Sequence, residues 1–77
     1  MPFVIFFRKA AEDPVQVAYI FGPSRKNLCR RLTIDKASNV SRPSDGKIDL
    51  MFEGATVKIL RLVRTHGNWP DRGVHAV

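Results

Sequence analysis

Hydrophobic and polar positions along this chain follow two different periods, and the change of period divides it. Phe3 to Lys9 and Val15 to Phe21 are rich in aromatic and β-branched residues, as strands are. Between them Ala10-Ala11-Glu12-Asp13-Pro14 supplies the turn signal, Asp-Pro, so strands of about 3–9 and 15–21 form an antiparallel hairpin. In the second strand Val15, Val17, Tyr19 and Phe21 share one face, predicted to meet the core, and Gln16, Ala18 and Ile20 share the other. The first strand is apolar on both faces, with Phe3, Ile5 and Phe7 opposed to Val4 and Phe6.

Gly22 to Asn27 reads as a turn with a basic tip, and Leu28 to Asp35 alternates again. Leu28, Leu32 and Ile34 point one way, Cys29, Arg31, Thr33 and Asp35 the other, and Arg30 falls on the apolar side, from which it must reach out at an edge. Lys36-Ala37-Ser38-Asn39 has the residues of a hairpin turn, and Val40-Ser41-Arg42 gives a short edge strand that Pro43 stops.

The period then lengthens. At about 100° per residue Ile48, Met51, Phe52, Ala55, Ile59, Leu62, Val63 and His66 form one stripe, which predicts an amphipathic helix over about 46–66. Ser44 and Asp45 are candidate N-caps, Gly67 is a candidate left-handed C-cap, and Pro70 forbids continuation. Gly54, at about 1 kcal/mol relative to Ala, and the β-branched Ile48, Thr56, Val57, Ile59 and Val63 oppose the helix. The rival is a hairpin turning at Glu53-Gly54-Ala55, but the adjacent apolar pairs Ile59-Leu60 and Leu62-Val63 suit a helix better. Residues 67–77 show no period and are expected to be an irregular tail.

These elements predict an α+β fold: one small domain over residues 1–77, an antiparallel three- or four-stranded β-meander with one C-terminal α-helix packed on one face, in two layers. One helix covers one face of a sheet. Val4, Phe6 and Ile20 on the other face therefore need a cover, either the tail led by Trp69 or a second copy of the chain.

Composition is that of a globular domain, 44% hydrophobic and 26% charged, and the apolar opening is too short for a membrane span or a signal-peptide core. With a single cysteine, Cys29, this predicts a cytoplasmic protein without a disulfide framework. The net charge of +6 changes the picture more, because residues 24–44 carry Arg25, Lys26, Arg30, Arg31, Lys36 and Arg42 against Asp35 alone. Catalytic patterns are missing. There is no P-loop, no Gly-x-Gly-x-x-Gly, no His-Glu-x-x-His and no Cys-x-x-Cys, so an enzyme, a cofactor and a metal site are not expected. Cys29, His66 and His75 lack metal-ligand spacing; Cys29 is expected to be a small buried hydrophobe and His66 to favour the helix dipole. Asp49 and Glu53, four apart, are expected on a solvated helix face.

The expected activity is binding. Arg25, Lys26, Arg30, Arg31 and Arg42 can form one positive edge that neutralises several phosphates, which points to nucleic acid. The Lys/Arg-Gly opening and spaced aromatics of the four-stranded RNA-binding sheets are absent. The alternative is protein association, as a homodimer or on a larger acidic partner, through Val4, Phe6 and Ile20, with Leu50, Val57 and Leu60 on the nominal outer side of the helix. Trp69 has two readings, a lid over the helix end or an interface anchor.

Overall fold

Residues 4–76 are described by the structure, a computed structural model, so that Phe3, expected in the first strand, and Val77, expected in the tail, lie outside the described residues. The elements are β1 (Val4–Glu12), β2 (Gln16–Gly22), β3 (Arg30–Asp35), β4 (Ser41–Pro43), α1 (Leu50–His66) and β5 (Arg72–Ala76). The strands form an antiparallel sheet in the order β4-β3-β2-β1-β5. The α+β meander with one helix on one face is the predicted architecture. Its fifth strand is a correction: part of the tail expected to be irregular pairs with β1, from Val4 opposite Ala76 to Arg8 opposite Arg72.

Short side chains set the turns. The Asp13 carboxylate accepts from the Val15 and Gln16 amides, which folds β1 back on β2. Asp35 accepts from Ala37 and Ser38, and Asn39 takes φ 60, the left-handed conformation that Asn tolerates, to close the β3–β4 hairpin.

Residues 50–66 are one helix, not a hairpin, but it starts later than the apolar stripe suggests. Asp49 is its N-cap, accepting from the Phe52 amide, in place of Ser44 or Asp45. Gly67 (φ 81) ends it by donating its amide to the Val63 carbonyl. Ile48 precedes the helix and escapes its phase, so it is 69% exposed rather than core, and His66 in the last turn is exposed as well. Phe52, Ala55 and Ile59 are the buried face, and Leu60, assigned to the outer side by the wheel, packs half-buried on the core. Gly54 is what lets the helix lie this close to the sheet. A Cβ there would stand 2.6 Å from Ile5 Cδ1 and 3.3 Å from His75 Cδ2, so the residue that weakens the isolated helix permits its docking.

Beneath α1, Ile5, Phe7, Val17, Tyr19, Phe21, Leu32 and Ile34 are buried, each on the face that the alternation of its strand predicts. Phe7 meets Tyr19 edge to face at 5.8 Å, and the Tyr19 hydroxyl donates to the Pro70 carbonyl at 2.6 Å. Burial, and then the charges of Glu12 and Asp71, push the Tyr19 phenol well above its ordinary pKa, which keeps it a donor. Trp69, beside that bond, packs half-buried against the same core. It packs on the helix side of the sheet and does not cover the second face.

Arg30 does not reach out at an edge. Its guanidinium lies 4.8 Å over the Phe21 ring and donates to Asp49 (2.8 and 2.9 Å), Asp45 (3.1 and 3.3 Å) and the Lys47 carbonyl (2.8 Å). It thereby ties β3 to the loop before α1. Asp49 is not on a solvated helix face with Glu53, because it both caps the helix and holds Arg30. Arg30, followed by the Phe52 amide for Asp49 and the Lys47 amide for Asp45, holds both carboxyls below their ordinary value of 3.8. A carboxylate depressed on folding stabilises the fold above its unfolded pKa, and that contribution is lost as pH falls through the folded pKa. The melting temperature is therefore expected to be level from about pH 7 to 5 and to fall below about pH 4. In an Asp49→Asn variant, which keeps a capping side chain, it should start lower and fall less steeply; parallel curves for the two proteins would rule out this linkage.

Among the described residues no helix is long and apolar enough to cross a membrane.

Candidate functional site

Because α1 covers one side of the sheet, the opposite side is left open, and the register of the strands assigns its residues. Across it runs a row made of Arg72 opposite Arg8, Arg8 opposite Ile20, and Ile20 opposite Arg31. The next row toward one end holds Ala18, Thr33 and Arg42. Toward the other end lie Val74, Phe6 and Gly22. Side chains on this face stand in rows about 5 Å apart from strand to strand, so the arginines and apolar groups are interleaved.

Gly22 shapes this face further. A Cβ on it would lie 1.8 Å from the Asn27 carbonyl oxygen, so only the missing side chain lets the connection from Pro23 to Cys29 fold back across the sheet. A tight turn, the Asn27 amide donating to the Ser24 carbonyl at 3.0 Å, then presents Arg25 and Lys26. Arg25 leans over the Phe6 ring, 5.6 Å from guanidinium carbon to centroid. The result is a cleft of about 470 Å³ lined by Phe6, Phe7, Arg8, Arg25, Leu28, Arg72, Gly73 and Val74. Three arginines, two phenylalanines, a glycine and two aliphatic residues line it, and no carboxylate, nucleophile or general base is among them.

Charge is segregated accordingly. Glu12 is bound by Lys9 and Lys36 at 2.6 and 2.7 Å, Asp71 lies 3.6 Å from Lys9, and Asp45 and Asp49 are on Arg30. Asp13 and Asp35 serve turns, where amide donors lower their pKa values. Arg8, Arg25, Arg31, Arg42 and Arg72 are all exposed and make no ion pair among the described residues. Arg8 and Arg72 are directly opposed across two strands, an arrangement of like charges that costs stability unless an anion lies between them.

The residues expected from sequence separate into three groups. Arg25, Arg31 and Arg42 are on the open face, together with Phe6 and Ile20, both half-buried, and Val4, which is 37% exposed. Lys26 sits on the turn tip beside them. Arg30 is committed to Asp45 and Asp49 on the helix side, and Trp69 belongs to the core. Cys29 is a correction: β3 begins at Arg30, so the thiol stays in the connection and is exposed rather than buried. Arg8 and Arg72 were missed. The parity that puts Arg8 on the same face as Phe6 is visible in the sequence, but the partner strand that brings Arg72 beside it is not.

Comparison with known proteins yields no match. No family model, no curated protein and no solved structure matches the chain.

Proposed function

We propose that this chain is a small, basic, non-enzymatic binding module whose ligand is nucleic acid and whose contact surface is the open face of the sheet. The observation that carries the reading is the row Arg72, Arg8 and Arg31 across three strands, flanked by Arg25 and Arg42, on a face whose cleft contains no carboxylate. Exposed arginines on a rigid sheet match the planar, bidentate chemistry of phosphate oxygens, and their spread over several strands suits an extended polyanion better than one small anion.

Engaging the five arginines is expected to give affinity for oligonucleotides that falls linearly on a log–log plot against salt. With four to six contacts the loss between about 50 and 200 mM salt is roughly a hundredfold. Absence of binding to DNA and RNA of mixed sequence at the lower salt concentration ends the proposal.

A second reading, protein contact, is favoured by a shallow, mainly apolar groove between Val4, Pro23, Asp49, Leu50 and Met51, where Leu50 is 70% exposed. The arginine row opposes the specific case of a homodimer through the hairpin faces, because a self-complementary contact there would press the rows of two copies together.

A further inference from the structure

The geometry points to single-stranded nucleic acid as the ligand of this face: one unstacked base enters the cleft between Phe6 and Arg25, and the adjoining phosphate lies on Arg8 and Arg72. The inference rests on the nucleic-acid reading and narrows it.

Three features carry it. The first is the spacing over Phe6. A plane in van der Waals contact with the ring on one side and with a guanidinium on the other needs about 3.5 Å for each contact, or about 7 Å in all. Arg25 stands 5.6 Å from the Phe6 centroid, farther than Arg30 from Phe21 at 4.8 Å and short of a full sandwich by little more than 1 Å. Arg30 is locked in place by Asp45, Asp49 and the Lys47 carbonyl, whereas Arg25 is on an exposed turn and makes no hydrogen bond among the described residues. A change of rotamer opens the remaining gap. Arg25 can then cover a base that Phe6 supports from below.

The second is depth. Phe6 is half-buried at the floor of the cleft, below the exposed Arg8, Arg25 and Arg72. In a duplex the bases are stacked on one another and offer only their edges, so a duplex can touch these arginines with its phosphates but cannot lay a base on the ring. A single strand can turn a base out and reach it. At about 470 Å³ the cleft is within the range of sites that enclose small molecules.

The third is the opposed pair. Arg8 and Arg72 sit side by side at the cleft's polar end, and one phosphate between them accepts from both guanidinium groups and cancels their repulsion. Aromatic floor, mobile guanidinium cover and paired phosphate donors thus follow one another in the order of base and backbone in a nucleotide.

The test compares three labelled probes by fluorescence anisotropy at low salt, on the intact chain: a single strand of about 12 nucleotides, its duplex, and an abasic strand of equal length. The single strand is expected to bind about tenfold more tightly than either of the others, as one stacked base predicts. Phe6→Leu, which keeps an apolar side chain but no ring, is expected to remove that advantage, so that the single strand and the abasic strand bind it equally. Equal affinity for all three probes, or preference for the duplex, overturns the inference and leaves the nucleic-acid reading standing. Binding of none of them removes both. The abasic probe makes the result independent of whether the Phe6 variant folds.

Discussion

Arg72→Glu is expected to make the protein more stable and a poorer ligand for nucleic acid at the same time. Arg72 lies directly opposite Arg8 on the adjacent strand, and opposed like charges on one sheet face are destabilising, whereas opposite charges contribute about 0.2–1 kcal/mol. For a domain of this size 1 kcal/mol corresponds to about 4–8 °C, so a rise of a few degrees in the melting temperature is expected. Affinity moves the other way. At 100 mM salt each phosphate contact on a single strand is worth about fivefold through counterion release, and reversing the charge adds repulsion of similar size, giving a loss of about 25-fold. Thermal melts and a binding isotherm on the same preparation test both signs. If the melting temperature falls, Arg8 and Arg72 do not repel in the free protein; if affinity is unchanged, the cleft is not where the anion sits.

Phe7→Ala carries the largest expected cost to the fold. Phe7 is 2% exposed, and its ring meets Tyr19 edge to face while covering Gly73 on β5, where a Cβ would come within 2.5 Å of the ring. A glycine in an edge strand holds that strand weakly, and an aromatic ring laid over it from the neighbouring strand restores the lost packing. Removing a buried phenylalanine costs about 3–5 kcal/mol, against a total of about 4–11 kcal/mol for 77 residues at the usual stability per residue. The variant should therefore lose at least about a quarter of its stability, and is largely unfolded where the total lies at the low end of that range. Urea titration followed through Trp69, the one tryptophan, reads the loss directly. A shift below about 1 kcal/mol would mean that the site has repacked and that the ring does not secure β5.

The strands and the helix were legible because their side chains alternate or recur with the period of the element. Val17, Tyr19 and Phe21, and Leu32 with Ile34, are buried as their parity requires, and Gly67 caps the helix as its position requires. What was not legible depended on partners distant in the chain. Arg-Gly-Val-His-Ala has no pattern of its own and becomes a strand because β1 offers it hydrogen bonds and Phe7 covers its glycine. Gly54 counted against the helix, because the contact that requires it is made by Ile5 and His75. Arg30 was placed on the correct face, but its two carboxylates lie in a loop and at a helix cap, so it looked available when it is engaged. For the open face, sequence supplied Arg25, Arg31 and Arg42 with Phe6 and Ile20, and the topology supplied Arg8 and Arg72.

That topology also orders events in time. The two arginines of the opposed pair are separated by most of the chain, and contacts so distant in sequence form late because a long loop must close first. While the hairpins and the helix assemble, the growing sheet carries Arg8 alone, and Arg72 arrives with the outermost strand. On the proposed reading, affinity for nucleic acid therefore reports that the last strand has paired with its neighbour.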